Sequence, residues 1–507
     1  MNLRILFWIV CLGIFVTSCY KEITLPENVE PGYDYNLYFN EIPVAFDKER
    51  KLILCFFDSA NLGGWDVQFS SDEVEIIQVD GETITEDGRY YFENIQGRES
   101  YEIILNTPDD GIEHYIVQFT TLPVCQIFTE YEIPDGPKIK AWIIISSGGE
   151  YEKVIKSYLG IERRGGTAYH RPKHSFAIEF WENEYESEHK DVSFFNLMDD
   201  DDWILDAMYI DKARMRNALS FSIWNEIQSD RLSDQSVRST GISGGFVELF
   251  LNNRLLGLFH LCERIDRKRL GIQPTYGEIE GVIYKALEWA GATTYTELDE
   301  PKPGIVLEWG GWKLEYPKDP IEKIWDPLYN YLDFALHATD DDFTEQIYEY
   351  INMGSAIDYF ILLNTTNAGD NWGKNIIMSR YDCESPFLFM PWDMDATWGR
   401  GWDSTFTSTH NILTNNLYGR LFQLNTGNFR QELSQRWEYL RQNVLQEQAI
   451  NARIEEYEML FTQSGAFDRE KALWPEWNLN LTAEIEYMKE WNHQRIQFLD
   501  DYFNSMK

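Results

Sequence analysis

Asp370 and Asn375 form a D-x-x-x-x-N pair in NAGDNWGKNIIM, and Asp393 and Asp395 follow the apolar run of FLFMPWDMDATWGR. These residue types, in this order, suit phosphoryl transfer. That chemistry needs a carboxylate to accept the hydroxyl proton, an amide oxygen and a carboxylate to hold Mg²⁺, and a strand that delivers the metal-binding acid. A lone D-x-x-x-x-N is common in ordinary loops; the PWDMD that follows is what gives it weight. Asp393 and Asp395 lie two positions apart, so at an extended strand end their side chains point the same way, and a tight turn brings both to one cation. A capped turn after a buried strand accounts for the same two residues.

The spacing of Asp370 and Asn375 reproduces that of the protein-kinase catalytic loop, in which the Asp is the base and the Asn a metal ligand; Asp393 then stands where a kinase carries its metal-binding Asp. The surrounding sequence predicts a helix through SAIDYFILLNTTNA and a strand, FLFMPW, leading into the second acidic pair. Upstream, KIKAWIIISS and SFAIEFW read as strands and ARMRNALSFSIWNEIQSD as an amphipathic helix. GGFVELFLNNRLLGLFHLCERI reads as a hairpin, because Asn252-Asn253 tolerates the positive φ of a tight turn. The stretch 278–320, rich in Gly, Thr, Glu and Pro, reads as a loop-rich insertion. From Pro320 onward helices dominate, with a helical series from about 415 to the C-terminus.

Ahead of these segments, KLILCFF, WDVQFS, VEIIQV, YEIIL and HYIVQFTTL are short β-type runs broken by turn residues, which predicts a small all-β, Ig-like sandwich over 20–122 serving as a spacer or interaction module. The first nineteen residues combine Arg4, an apolar run from Ile5 to Val16 and small residues before Cys19. They are too short an apolar stretch to span a bilayer comfortably and predict an export signal. Val16-Thr17-Ser18-Cys19 resembles a lipobox, so the expectation is a lipoprotein anchored to a membrane of the bacterial envelope through Cys19, facing periplasm or cell surface. With 44 Lys and Arg against 84 Asp and Glu, the formal net charge is -40, and the phosphate backbone of nucleic acid would be repelled. Nucleic-acid partners are therefore not expected. The cysteines match no zinc spacing, and Cys55 and Cys262 sit in apolar runs, where buried free thiols are expected.

Taken in order, IERRGGTAYHRPKHSFAIEF, ARMRNALSFSIW, FVELFLNNRLLGLFHLCERID, DNWGKN and PWDMDATWG resemble the CotH kinase family. The resemblance covers roughly residues 122 to 420. It implies an α+β fold: a divergent two-lobed protein-kinase-like domain over 123–507, preceded by the β-sandwich and ending in the helical region, binding ATP with Mg²⁺ or Mn²⁺. It makes Asp370 the candidate catalytic base, Asn375 and Asp393 metal ligands, and Asp395 a second metal candidate. Arg164 and Gly165 match the family's R-G segment, where glycine lets backbone amides approach phosphate. Lys173 either pairs nucleotide phosphates, as a kinase lysine does, or is a solvated strand-edge lysine; Lys374 is an alternative phosphate contact. Glu263 is a hinge or nucleotide-side candidate, or pairs with a neighbouring arginine. Arg216, Asn217 and Glu226 lie on the predicted amphipathic helix, Glu226 being the acid available to orient a lysine. Two functions follow as expectations. One is an ATP- and metal-dependent phosphotransferase acting on Ser/Thr of an envelope or surface protein. The other is a non-catalytic surface lipoprotein that uses a kinase-like fold to bind glycan or protein.

Overall fold

The computed structural model describes residues 36–506, apart from 59–62, 72, 85–86, 96–99, 108–109, 148–153, 167–170, 185–187, 230–239 and 305. The leader and Cys19 lie outside the described residues. No described helix is long and apolar enough to cross a membrane.

Strict alternation builds the N-terminal part. In Tyr101–Thr107, Tyr101, Ile103 and Leu105 are buried while Glu102 and Asn106 face solvent, as a half-buried strand requires. A four-stranded and a six-stranded sheet share one core, to which Phe39, Trp65, Val67 and Phe92 contribute from the first and Ile53, Ile103, Leu105 and Val117 from the second. This part does not hang from the rest as a spacer. Ala45, Leu52, Leu54 and Phe56 form a second apolar cluster with Val124, Phe250 and Leu255 of the following domain. Within that seam the fully buried Asp47 accepts a hydrogen bond from the Leu255 amide at 3.0 Å.

Seven strands then close into a barrel in the order Val124–Phe128, Ile139–Ser146, Val154–Arg164, Ser175–Trp181, Asp202–Asp206, Leu255–Glu263 and Gly244–Leu251. Closure comes from the parallel pairing of the first with the last. The predicted hairpin is present, and Asn252 and Asn253 turn it at φ 48° and 57°. Period two divides the side chains: Trp203 and Leu205 fill the barrel, while the intervening Ile204 joins the main core outside it. The helix Arg216–Ser229 packs against that outer wall. It is buried on most of its circumference, including Leu219, Ile223, Trp224 and Ile227, so the helix is present but its burial is not confined to one face as the amphipathic reading implies.

A five-stranded antiparallel sheet follows, in the order Glu308–Trp309, Trp312–Tyr316, Val282–Ala286, Ile376–Arg380 and Leu388–Pro391. Two of its inner strands come from the stretch read as a loop-rich insertion. That expectation is corrected: VIYKA is too short an apolar run to show a period between its Gly- and Thr-rich flanks, and pairing on both edges makes it a strand. Helices Asp326–His337, Asp340–Tyr350 and Met353–Thr366 pack with this sheet, and the C-terminal helices from Asn416 to Asn504 complete the same core. The chain is thus α+β with a helical C-terminus. Cys55, Cys125 and Cys262 are buried free thiols, and Cys383 is exposed.

Candidate active site

The helix Met353–Thr366 ends at Asn367 in the left-handed conformation, which releases the chain into the loop carrying Asp370. The loop closes at Asn375, also left-handed at φ 54°, whose amide donates to the Ala286 carbonyl at 2.9 Å as the next strand begins. After the return strand Leu388–Pro391 the chain turns again at Asp393, φ 56°. Two left-handed residues at neighbouring ends of paired strands thereby face each other, and the Asn375 side-chain amide lies 3.5 Å from the Asp393 carboxylate.

Asn371 and the helix Arg216–Ser229 hold this arrangement. Asn371 Nδ2 donates to the carbonyls of Asn375 at 3.1 Å and Trp392 at 2.7 Å, tying loop to strand end. Asn217 Oδ1 accepts from the Met394 amide at 2.9 Å, and its Nδ2 donates to Asp206 at 3.0 Å. Arg216 Nε donates to the Thr397 carbonyl at 3.0 Å while its other nitrogens pair with Asp211 and Glu484. Sequence reasoning left Arg216 and Asn217 without a role and passed over Asn371. The structure makes them clamps on the acidic loop rather than ligands.

The carboxylates here repel one another. Asp395 is driven well above the usual carboxylate range, first by desolvation and then by Asp393, Asp206, Asp211 and Asp370. Asp393 keeps solvent-facing surface, yet the protein crowded around its carboxyl also raises it; desolvation leads, Asp206 adds, and Lys285, Arg164 and Lys374 oppose. Carboxylate and amide oxygens are hard donors suited to Mg²⁺ or Mn²⁺, and a cation between them would relieve the repulsion, so Asn375, Asp393 and Asp395 fit such an ion. Asp370 is near enough to act on the Asp395 carboxyl and lies 4.0 Å from Lys374 Nζ.

Not every expected residue joins this cluster. Arg164 does: its guanidinium lies 5.2 Å from the Trp392 ring centroid, beside Asp393. Gly165 follows at φ 101° on the exposed strand end, a conformation glycine adopts without strain. Thr167 lies outside the described residues. Lys173 does not join. It is buried, donates to the Leu258 carbonyl at 2.5 Å and pairs with Glu470 at 2.9 Å, and Glu470 also receives Arg214 Nε at 2.8 Å. Its ammonium is spent on a structural triad, which corrects both the phosphate-pairing and the solvated reading. Of the two readings of Glu263 the arginine pairing is the one found, although with Arg269 and not with Arg264 or Arg267; it is buried there and accepts from the Ser243 amide at 2.9 Å. Glu226 pairs with Arg453 and orients no lysine.

The lysine that does reach the cluster is Lys285, on the unexpected strand Val282–Ala286, with Nζ 4.3 Å from the Trp392 centroid. Desolvation lowers it to about 8, with Arg164 acting in the same direction and Glu315 and Asp393 opposing. Its signal was absent because it lies 85 residues before the loop it faces, in a segment lacking a clear period.

Away from this cluster, two sets of three ligand-type side chains converge within 4.8 Å among the described residues, Glu179–His189–Asp201 and Asp191–Asp200–Asp201, a closeness that Asp370, Asp393 and Asp395 do not share. Lys268 already sits 2.9 Å from Asp201 and 3.5 Å from Asp200, so an ammonium occupies the space between the carboxylates of the second set.

No curated protein matches the chain. Residues 161–499 match the family model described as CotH kinase protein, a span of more than half the chain that carries Arg164, Lys285, Asp370, Asn375, Asp393 and Asp395. On that match, and on the order of the loop, strand and acidic turn it contains, the chain belongs to the CotH kinase family.

Proposed function

We propose that this protein is an atypical kinase that transfers the γ-phosphoryl group of ATP, bound with Mg²⁺ or Mn²⁺, to a Ser or Thr hydroxyl of an envelope or surface protein. The barrel and the sheet-with-helices half serve as the two lobes of a divergent kinase-like domain. The observation that carries the reading is the apposition of Asn375 and Asp393 at 3.5 Å, with Asp370 on the same loop and Arg164 beside Asp393. Asp370 accepts the proton of the acceptor hydroxyl and orients its oxygen. Asn375, Asp393 and Asp395 hold the divalent ion, which supplies charge neutralisation to the phosphates. Lys374, next to Asp370, presents a second cation toward the same space. Asn371, Asn217 and Arg216 keep these groups in register, so little reorganisation is needed on binding. Lipidation at Cys19 would place the reaction at the cell envelope.

Calorimetric titration of ATP with Mg²⁺ or Mn²⁺ into the chain lacking residues 1–19, beside Asp393→Ala, tests this reading. Cation-dependent binding that disappears in the variant is the expected result. Absence of binding by folded wild-type protein would sink it.

A further inference from the structure

Glu179, His189 and Asp201 meet on the outer wall of the barrel, and the backbone brings them there. Glu179 lies on the strand Ser175–Trp181, Asp201 directly precedes the strand Asp202–Asp206, and His189 lies opposite Trp181 across an isolated bridge. Phe180 ties the three segments together: its amide donates to the Asp201 carbonyl at 2.9 Å, and its carbonyl accepts from the Lys190 amide at 3.0 Å. Its ring fills the barrel, so by period two the preceding Glu179 points outward. The place is distinct from the acidic loop. Asp206, which acts on Asp393 and Asp395, stands at the far end of its strand from Asp201, and five residues of strand span about 16 Å.

Each carboxylate here has one oxygen already taken. Lys138 Nζ donates to Glu179 Oε2 at 2.9 Å, and Lys268 Nζ donates to Asp201 Oδ1 at 2.9 Å. The two remaining oxygens, Glu179 Oε1 and Asp201 Oδ2, both face His189 Nδ1, at 3.1 Å and 2.9 Å. A ring nitrogen carries at most one proton, so two carboxylate oxygens compete for one donor. With Nδ1 unprotonated, the same three atoms stand near the spacing of one face of a coordination tetrahedron, whose edge is about 3.3 Å for bonds of about 2.0–2.1 Å. The lysines hold the outer oxygens and so aim the inner ones, as hydrogen bonds behind metal-ligating carboxylates do. Lys268 does not discharge the neighbourhood: the adjoining Asp200 is still raised to about 6, by desolvation first and then by its hydrogen bond to Asp201 and by Asp266. One imidazole nitrogen with two carboxylate oxygens is a donor set for Zn²⁺, unlike the all-oxygen set of Asn375, Asp393 and Asp395. His189 is half exposed, which leaves an entry path and room for water as a fourth ligand.

We propose that Glu179, His189 and Asp201 form a Zn²⁺ site that pins the segment carrying His189 to the barrel wall. It goes beyond the kinase reading and stands whether or not the chain transfers phosphate.

The test uses the full chain in mild detergent, stripped with EDTA, dialysed, and titrated calorimetrically with Zn²⁺ in excess Mg²⁺, which occupies all-oxygen sites. His189→Ala and Asp393→Ala are run beside it. The expected result is one Zn²⁺ site that weakens tenfold or more in His189→Ala and stays within twofold in Asp393→Ala. Zn²⁺ should also raise the Tm of wild type and of Asp393→Ala, and leave that of His189→Ala unchanged. If His189→Ala binds Zn²⁺ like wild type, the ion sits elsewhere and the proposal is overturned. If wild type binds no Zn²⁺, the three residues are only an ion pair of a protonated imidazole with two carboxylates, and the proposal is overturned as well. Should His189→Ala fail to fold, Glu179→Gln, which keeps the shape of the side chain, decides with the same tenfold loss expected.

Discussion

Asn375 and Asp393 face each other at 3.5 Å from two backbone turns of the same hand, at φ 54° and 56°. Left-handed conformation costs an ordinary L-residue roughly 1–2 kcal/mol, least for Asn and Asp, whose short side chains bond locally. Spending it at both residues directs an amide and a carboxylate into one space. The same pair raises a tension between function and stability, because Asp393 pushes the Asp395 carboxyl upward.

Asp393→Asn should therefore melt slightly higher than wild type in EDTA, by on the order of 1 kcal/mol or less, since it removes a like charge and suits φ 56° better. The same variant should lose the Mg²⁺-dependent rise in Tm. Thermal melts with and without Mg²⁺ check both, and a lower Tm in EDTA would count against the repulsion described above.

Lys173→Met should behave in the opposite way. Removing one member of the buried Lys173–Glu470–Arg214 triad is expected to cost about 3 kcal/mol, read by urea unfolding. ATP affinity of the folded variant should stay within twofold of wild type, because Lys173 does not face the acidic cluster. A large loss of ATP affinity without loss of stability would falsify the structural role.

His260 adds a pH dependence of known sign. It is fully enclosed, next to Phe246 at 5.2 Å, and burial lowers it from 6.5 to about 4, with Asp206 opposing. The unfolded chain therefore takes its proton first on acidification. The contribution is complete above about 6.5 and is lost as pH falls toward 4, to a total on the order of 3 kcal/mol. Chemical denaturation of His260→Leu at pH 7 and pH 4.5 should show a smaller drop than wild type; equal drops would mean that the ring does not titrate on unfolding.

Asp47 tests the seam between the N-terminal sheets and the barrel. Its carboxylate receives the Leu255 amide at 3.0 Å and both the amide and the guanidinium of Arg50 at 2.9 Å. Asp47→Ala should cost about 1–3 kcal/mol by leaving a buried amide unpaired. Calorimetry should show both parts unfolding in one transition; a separate early transition in wild type would show that the shared apolar cluster does not couple them.

The sequence by itself determined the features whose cause is local. Asn252-Asn253 predicts its own hairpin because the turn depends on two φ values, and alternation over YEIILNT predicts which face is buried because period two is a property of one strand. DNWGKN and PWDMD place their carboxylates and amide by turns of a few residues, so Asp370, Asn375, Asp393 and Asp395 were legible together. What only the tertiary structure decided is which distant groups meet them. Lys173 precedes a strand and follows a glycine pair, as a phosphate lysine would. Glu470, 297 residues later, nevertheless claims it, because a buried ammonium is tolerable only beside a carboxylate. Lys285 carries no motif and lies in a segment without period. Its place beside Arg164 on Trp392 arises from sheet pairing on both edges of its strand, and pairing between segments far apart in sequence leaves no mark in either one.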